Sequence, residues 1–246
     1  MYLTTPGLVL RVTDYNDRDS LLTLLTPNFG KLTVKARGLR RKNSPLIAPC
    51  QLLSYGEFTL FENRGNYIVN EAVSIELFQQ LRCDLTKLSL GSYFAQVAEI
   101  LSQEDTSNPE LLSLVLNCLY MLKTETMETK VKAIFELRIA CIAGYTPDLS
   151  FCHYCGSGDL GYFDVASGVA LCERCRDLET YGIRFPLSDS VLQAMRYISF
   201  CDSKRLFAFE LGEDNMQQLS KIAEAFLTSQ LERGFSALDF YKSLLI

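Results

Sequence analysis

The chain has 246 residues, 48% of them hydrophobic, which excludes a disordered protein and leaves room for one or two domains with a packed core. No apolar run is long enough to cross a bilayer, and the N-terminus lacks a basic leader, so we expect a cytoplasmic protein with no membrane span. Residues 1–80 hold nine Lys and Arg against seven Asp and Glu, whereas residues 81–246 hold fifteen against twenty-two. The acidic total argues only weakly against a nucleic-acid partner, because local charge matters more than the sum.

The first 75 residues are typical of β-structure. Turn signals rich in Pro, Asn, Asp and Gly separate five short apolar or alternating runs, at 7–12, 20–26, 30–37, 52–61 and 67–75. Five short strands in this length predict a small barrel. The five-stranded oligonucleotide-binding (OB) barrel is the favoured form, and an SH3-like barrel is the alternative.

The third run carries a basic pattern. Its apolar residues alternate with polar ones, so the apolar set should face the barrel interior and the basic set the outside. Six cations fall between residues 31 and 42 with no acid among them: Lys31, Lys35, Arg37, Arg40, Arg41 and Lys42. An ordinary solvated strand face usually mixes signs, so this pattern favours phosphate binding.

Four aromatic residues of the same region could offer faces on which bases stack: Phe29, Tyr55, Phe58 and Phe61. Alternation along the strands should send about half of them inward, so each is individually expected in the core.

Beyond residue 75 the apolar period becomes helical. We predict helices at 84–102, from Asn108-Pro109 onward, and at 129–143, 188–199 and 214–233. Their apolar stripes indicate helix–helix packing. The predicted fold class is therefore α+β. An OB-type barrel at 1–80 is followed by an α-helical domain at 81–246, with a four-cysteine, zinc-finger-like insertion at about 150–180.

Two Cys-x-x-Cys pairs, Cys152/Cys155 and Cys172/Cys175, are separated by sixteen residues. This spacing is typical of a Zn²⁺ site in which two tight turns fold together. Two disulfides would require an oxidising compartment. The neighbouring His153 could in principle replace one cysteine as a ligand, but the four-cysteine spacing is already complete, so four thiolates are favoured. Four thiolates complete the tetrahedral coordination of Zn²⁺, so we expect one structural zinc ion with no coordination position left for an activated water.

The sequence offers no catalytic constellation. It lacks a Gly-rich phosphate loop, HExxH and GxSxG, and it contains one histidine. A zinc hydrolase would need an open coordination position, which four cysteines deny. We therefore expect a binding protein and not an enzyme.

The order of several motifs resembles the bacterial DNA repair and recombination mediator family RecO over nearly the whole chain. They are Gly7-x-Val9-Leu10 and the segments 15–22, 36–44, 135–138, 144–149 and 242–243, together with the four cysteines. The resemblance implies an OB domain, a helical domain and a zinc site at those cysteines.

The resemblance also implies a function. Members bind single- and double-stranded DNA, anneal complementary strands and help RecA replace single-strand binding protein (SSB), with RecR and the SSB C-terminal tail as partners. The protein would then be cytoplasmic, and nucleoid-associated when active. An acidic tail that ends in an apolar group needs an apolar groove with a cation, and Lys130, Lys132 and Arg138 are candidates. The alternative is a zinc-stapled protein-interaction adaptor without direct DNA binding.

Overall fold

The computed structural model describes residues 1–124, 128–178 and 182–245. Internal contacts divide the chain into two compact units. The first unit is Met1–Glu125 with Phe235–Ile246, and the second is Thr126–Gly234. The boundary predicted near residue 80 lies inside the first unit and stays a prediction. Residues 179 and 180, at the end of the predicted insertion, lie outside the described residues.

Five strands form a closed barrel in the first unit. They are β1 (Tyr2–Asp14), β2 (Ser20–Thr26), β3 (Gly30–Ala36), β4 (Tyr55–Asn63) and β5 (Asn66–Glu76). Their order around the barrel is β1-β2-β3-β5-β4, and every pairing is antiparallel except that of β3 with β5. The closed five-stranded architecture confirms the predicted OB-type barrel.

Alternation along β3 shows why this sequence closes into a barrel. Leu32, Val34 and Ala36 are buried, while Thr33 and Lys35 point outward. Inward side chains of the other strands complete the interior, among them Val9, Leu22, Leu24, Phe58, Leu60 and Val69. β3 ends one residue before the predicted limit, so Arg37 begins the loop that follows.

Four helices complete the first unit: α1 (Gln79–Arg82), α2 (Leu85–Leu101), α3 (Pro109–Thr124) and α7 (Ser236–Ser243). The Asp84 carboxylate accepts a hydrogen bond from the Lys87 amide, and the Asn108 side chain accepts one from the Leu111 amide. These caps satisfy amides that a helix start leaves unpaired, which fixes where α2 and α3 begin.

The second unit contains α4 (Glu128–Ile142), α5 (Asp189–Phe200) and α6 (Glu213–Gln230). It also contains a small sheet of β6 (Tyr162–Asp164), β7 (Val169–Leu171) and β8 (Arg184–Pro186), in the order β7-β6-β8. Phe163 of β6 packs edge-on against Phe226 of α6, with ring centroids 5.4 Å apart, and so joins the sheet to the helices. Within the described residues no helix combines the length and apolarity that a membrane span would require.

Gly30 begins β3 at a point where two backbones nearly touch. Its φ is +60°, and a Cβ at this position would lie 2.2 Å from the Gln103 carbonyl oxygen. The next amide, that of Lys31, donates to the same carbonyl at 2.9 Å. Only glycine satisfies both the left-handed conformation and this close approach, so Gly30 sets where β3 meets the segment after α2.

We predict that Gly30→Ala destabilises the protein by about 2 to 5 kcal/mol, since left-handed strain and backbone overlap both act. Gly65→Ala is the matched control, because its φ is +78° but nothing lies within 4 Å of the added methyl group. It should cost about 1 to 2 kcal/mol. Urea unfolding followed by circular dichroism measures both, and equal losses would contradict the role of the close approach.

Candidate nucleic-acid interface and metal centre

The four predicted cysteines converge in the second unit. The Sγ atoms of Cys152, Cys155, Cys172 and Cys175 all lie within 4.8 Å of one another. Cys155 is exposed and the other three are buried. Among the described residues, these four thiols are the potential metal ligands that come this close to one another. His153 does not belong to the group. Such a group could hold a metal ion.

Two short turns present these thiols. The Gly156 amide donates to the Cys152 carbonyl and the Cys175 amide to the Cys172 carbonyl, so each Cys-x-x-Cys segment folds on itself. The His153 amide donates to the carbonyl of Ala170 in β7, which ties the first turn to the strand leading into the second. The hairpin of β6 and β7 therefore spans the interval between the pairs and brings them together.

The thiols affect each other's ionisation. Burial opposes ionisation of Cys152, but hydrogen bonds from the backbone of Cys172, Cys155 and Tyr154 outweigh it and lower the pKa to about 6. Burial, and then hydrogen bonds and charge from the neighbouring cysteines, raise the pKa of Cys175 to about 12. Negative charge on all four sulfurs at once requires a compensating cation, so this donor set fits a divalent metal ion.

The outer face of β2 and β3 forms one wall of a cleft in the first unit. The cleft has a volume of about 670 Å³ and is also lined by Tyr15 of the β1–β2 loop and by Asn63 and Asn66 at the β4–β5 turn. This face and these two loops are where OB barrels bind oligonucleotides. Three predicted cations lie in it, namely Lys31, Lys35 and Arg37.

Three of the six predicted cations already have partners in the protein. Lys31 Nζ donates to the Glu99 carbonyl at 3.1 Å. Lys35 Nζ pairs with the Asp19 carboxylate at 3.1 Å and lies 4.4 Å from the centre of the Tyr15 ring. These contacts hold both lysines in defined positions at the cleft.

Arg40 is the third cation with a partner, and it has a structural role in the loop beside the cleft. Its guanidinium donates to the Asn16 carbonyl at 2.9 Å and pairs with Asp14 at 3.3 Å.

The other three cations, Arg37, Arg41 and Lys42, are exposed, and no carboxylate of the described residues lies within ion-pair distance of them. These three charges are therefore available to a bound anion.

Asp19 organises the region. Its carboxylate accepts hydrogen bonds from the Gly38 amide at 2.9 Å and from the Asn16 side chain at 3.1 Å, in addition to pairing with Lys35. The bond from Gly38 is the main reason that the pKa of Asp19 falls from 3.8 to about 2, and Asn16 and Lys35 lower it further. The carboxylate thus joins the β1–β2 loop to the basic segment after β3.

The aromatic candidates separate by position. Phe58 is fully buried in the barrel core, and Phe29 packs against that core. Phe61 faces outward and is exposed, while Tyr55 is half-buried. Sequence reasoning missed Tyr15, whose ring contacts the Lys35 ammonium group. Its place in the β1–β2 loop could have indicated a binding role, because that loop binds ligands in OB barrels.

The three candidates for tail binding are all engaged in the second unit. Lys132 is buried on α4 and pairs with Glu136 at 3.0 Å and with Glu224 of α6 at 2.8 Å. Lys130 Nζ donates to the carbonyls of Phe207 and Phe209, and Arg138 donates to those of Ile198 and Ser199. Their assignment as partner-binding residues stays a prediction.

An apolar groove of about 1030 Å³ lies beside two of these candidates. It runs between α5 and the segment before α6, and Tyr197, Phe200, Phe209 and Arg196 are among its lining residues. Lys130 donates to the carbonyl of Phe209, which lines the groove, and Arg138 donates to that of Ser199, which precedes the lining residue Phe200, so both cations hold the backbone of its walls. Sequence reasoning missed the groove, although the apolar run at 206–209 between two helices was an available signal.

The fold and site define a class of protein in which an OB-type barrel and a helical region accompany a four-cysteine cluster that could hold a metal ion. Two family models match the chain, "Recombination protein O N terminal" over residues 1–78 and "Recombination protein O C terminal" over residues 82–239. The chain belongs to the RecO family of DNA repair proteins.

Curated relatives agree with this family. A DNA repair protein RecO of Acetivibrio thermocellus is 33% identical, and the match covers 99% of this chain and 97% of the relative. Those of Alkaliphilus metalliredigens and Bacillus subtilis are 29% and 28% identical, over 99% and 89% of this chain and 100% and 86% of theirs.

We predict that the Gly38 amide proton in nuclear magnetic resonance spectra titrates near pH 2, because it reports the Asp19 carboxylate that it binds. The folded-state pKa lies below the unfolded value of 3.8, so the stabilisation by Asp19 is present above about pH 4 and is lost as pH falls towards 2. Asp19→Asn is the control and should remove this titration. A midpoint near 4 in the unaltered protein would contradict the assigned contacts.

Proposed function

We propose that the protein is a non-enzymatic DNA repair and recombination mediator that binds single- and double-stranded DNA and anneals complementary strands. With RecR it would help load RecA onto SSB-coated single-stranded DNA. The observation that carries the proposal is the cleft on the β2–β3 face, where Lys31, Lys35 and Arg37 meet the loops that OB barrels use for oligonucleotides. Membership of the RecO family supports it.

The mode of binding follows from the charges. Arg37, Arg41 and Lys42 supply free positive charge next to the cleft, and phosphate is the ligand that such a cluster attracts without regard to base sequence. Lys35 is held in place by Asp19 and Tyr15, so it needs little ordering when a phosphate approaches. Bringing two polyanionic strands together requires this neutralisation, which links DNA binding to annealing.

A structural zinc ion is the second part of the proposal. Cys152, Cys155, Cys172 and Cys175 supply four sulfur ligands at mutual distances that suit a tetrahedral ion. Four thiolates would complete the coordination, so the ion would staple the two turns and activate no water. Its contribution would be local folding energy in the second unit.

Partner binding is the third part. The tail of SSB is acidic and ends in an apolar group, and the groove of the second unit offers apolar walls for that end. Its charged lining residues are the cation Arg196 and the acids Asp189 and Glu210, so the apolar walls are the main support for this placement. We place the tail there, with Lys130 and Arg138 as supports of the groove walls. The protein would act in the cytoplasm and associate with the nucleoid when active. The family models meet between residues 78 and 82, which supports a domain boundary near residue 80.

We predict that replacing Arg37, Arg41 and Lys42 together with Ala weakens DNA binding for all sequences alike. The slope of log affinity against log salt should flatten by about 2 to 3 units on duplex and by about 2 on single strands, since up to three phosphates lose a counterion-releasing contact. Fluorescence anisotropy over a salt series measures the slope, and strand annealing should slow in parallel.

The matched control replaces Arg174, Lys204 and Lys221 with Ala, because these exposed cations of the second unit change the net charge equally. Its affinity and slope should remain close to those of the unaltered protein. If the first triple variant also kept both, the DNA site would lie elsewhere and the protein-interaction adaptor would become the better interpretation.

We predict one tightly held zinc ion per chain, which elemental analysis of the purified protein would detect. Cys172→Ser should remove most of it and increase hydrogen exchange over residues 150–178, because the ion closes that loop. Cys83→Ser is the control, since Cys83 is an exposed thiol of the first unit. Full zinc retention by Cys172→Ser, or no zinc in the native protein, would contradict the four-cysteine site.

A further inference from the structure

A row of outward-facing side chains crosses four neighbouring strands of the barrel. Tyr2 of β1 lies opposite Phe61 of β4, Phe61 lies opposite Ile68 of β5, and Ile68 lies opposite Lys35 of β3. Register partners project to the same face of a sheet, so the four side chains form one continuous line. Three interstrand steps of about 4.8 Å give a path of about 14 Å along the curved surface of the barrel.

The end of this row on β1 and β4 is an exposed aromatic pair. Tyr2 is 61% and Phe61 37% exposed, and their ring centroids are 5.4 Å apart with planes tilted by 56°. The rings are close enough to cover part of each other, and both remain partly open to solvent. Adjacent exposed rings are more informative than apolar residues scattered singly over a surface, because contiguous exposed apolar groups mark contact sites.

The pair is continuous with the basic cleft. Tyr2 and Phe61 border a cavity of about 510 Å³ whose other lining residues include Arg37, Asn63 and Ile68. These same three residues also line the cleft on the β2–β3 face. The lining of the smaller cavity contains no carboxylate among the described residues, whereas the lining of the cleft includes Glu104 and Asp105. Phosphates should therefore follow the side of the cleft formed by Lys35 and Arg37.

The combination of charges and rings selects the ligand. A groove that follows a phosphate backbone, with aromatic rings beside it, is how proteins hold single-stranded nucleic acid, because every base has a face that can stack. The bases of a duplex are already stacked on one another and offer no such face. A protein partner would gain from the rings but would have no use for Arg37 and Lys35 in line with them, unless it were itself acidic.

We propose that Tyr2 and Phe61 form a stacking platform for unpaired bases of a single strand whose phosphates lie along Lys35 and Arg37. The inference rests on the proposed DNA binding by the barrel and adds a chemical basis for distinguishing single strands from duplex. Phosphate contacts serve both forms of DNA, whereas the platform serves only the unpaired one.

The test compares binding of an oligothymidine strand and of a duplex of equal length. Tyr2→Ala and Phe61→Ala should each weaken binding of the single strand by about 5- to 150-fold for each base that loses its stacking partner. Duplex binding should change by less than about twofold. The salt slope should stay unchanged on both probes, because stacking releases no counterions.

Two conservative variants separate stacking from folding. Tyr2→Phe keeps a ring and should bind the single strand as the unaltered protein does. The chain contains no tryptophan, so Tyr2→Trp introduces a single reporter whose fluorescence should be quenched when the single strand binds and not when the duplex binds. Ile75→Ala is the matched control, because Ile75 is an equally exposed apolar residue of β5 outside the row.

Three results would overturn the platform. Equal losses on both probes with a flatter salt slope would show that the two positions act through phosphates. Unchanged binding of both probes by Tyr2→Ala and Phe61→Ala, while the Arg37, Arg41 and Lys42 variant loses binding, would leave the proposed function standing without the platform. If Tyr2→Ala and Phe61→Ala kept DNA binding but lost RecR binding, the rings would be assigned to a protein contact. Failure of the unaltered protein to bind either probe would remove both proposals.

Discussion

Closure of the barrel through the short parallel pairing of β3 with β5 is the constraint on which the proposed site depends. Only two register pairs, Val34 with Tyr67 and Lys35 with Ile68, join these strands. Because the pairing is so short, β3 is free of β5 on either side of it, and the cleft lies along this junction. The same pairing places Lys35 in one row with the outward side chains of β5, β4 and β1. The pairing of β3 with β5 that closes the barrel therefore brings the basic strand and the aromatic pair onto one surface.

Electrostatics around Asp19 divides the cations into two groups. Asp19 and its neighbours hold Lys35, and the loop that Asp19 organises holds Arg40, so these charges shape the surface before any ligand arrives. Arg37, Arg41 and Lys42 lie just outside that network and keep their charge available. A phosphate bound at Lys35 would compete with the Asp19 carboxylate for the ammonium group, whereas one bound at Arg37 would displace no internal partner. Net affinity should therefore come mainly from the second group, and positioning from the first.

Local patterns predicted much of this structure. Alternation in β3 identified both the inward set and the outward lysines, and the spacing of the cysteines identified a cluster that the fold does bring together. Residues distant in sequence account for what local patterns missed. Lys132 looks like a solvated helix cation, but Glu224, far along the chain, meets it in the interior of the second unit. No local pattern predicts a role for Tyr2, because its proposed role depends on the strand register that places it opposite Phe61.

The chemistry of annealing puts a further condition on any surface that holds a single strand. A second strand can pair only if the hydrogen-bonding edges of the bases remain free. Phosphate contacts at Arg37 and Lys35 use the backbone, and stacking on Tyr2 and Phe61 uses the faces of the bases, so neither contact occupies those edges. A protein that recognised base edges by hydrogen bonds would have to release them before pairing began. The row of side chains on this barrel is therefore suited to hold one strand in a form that its complement can still read.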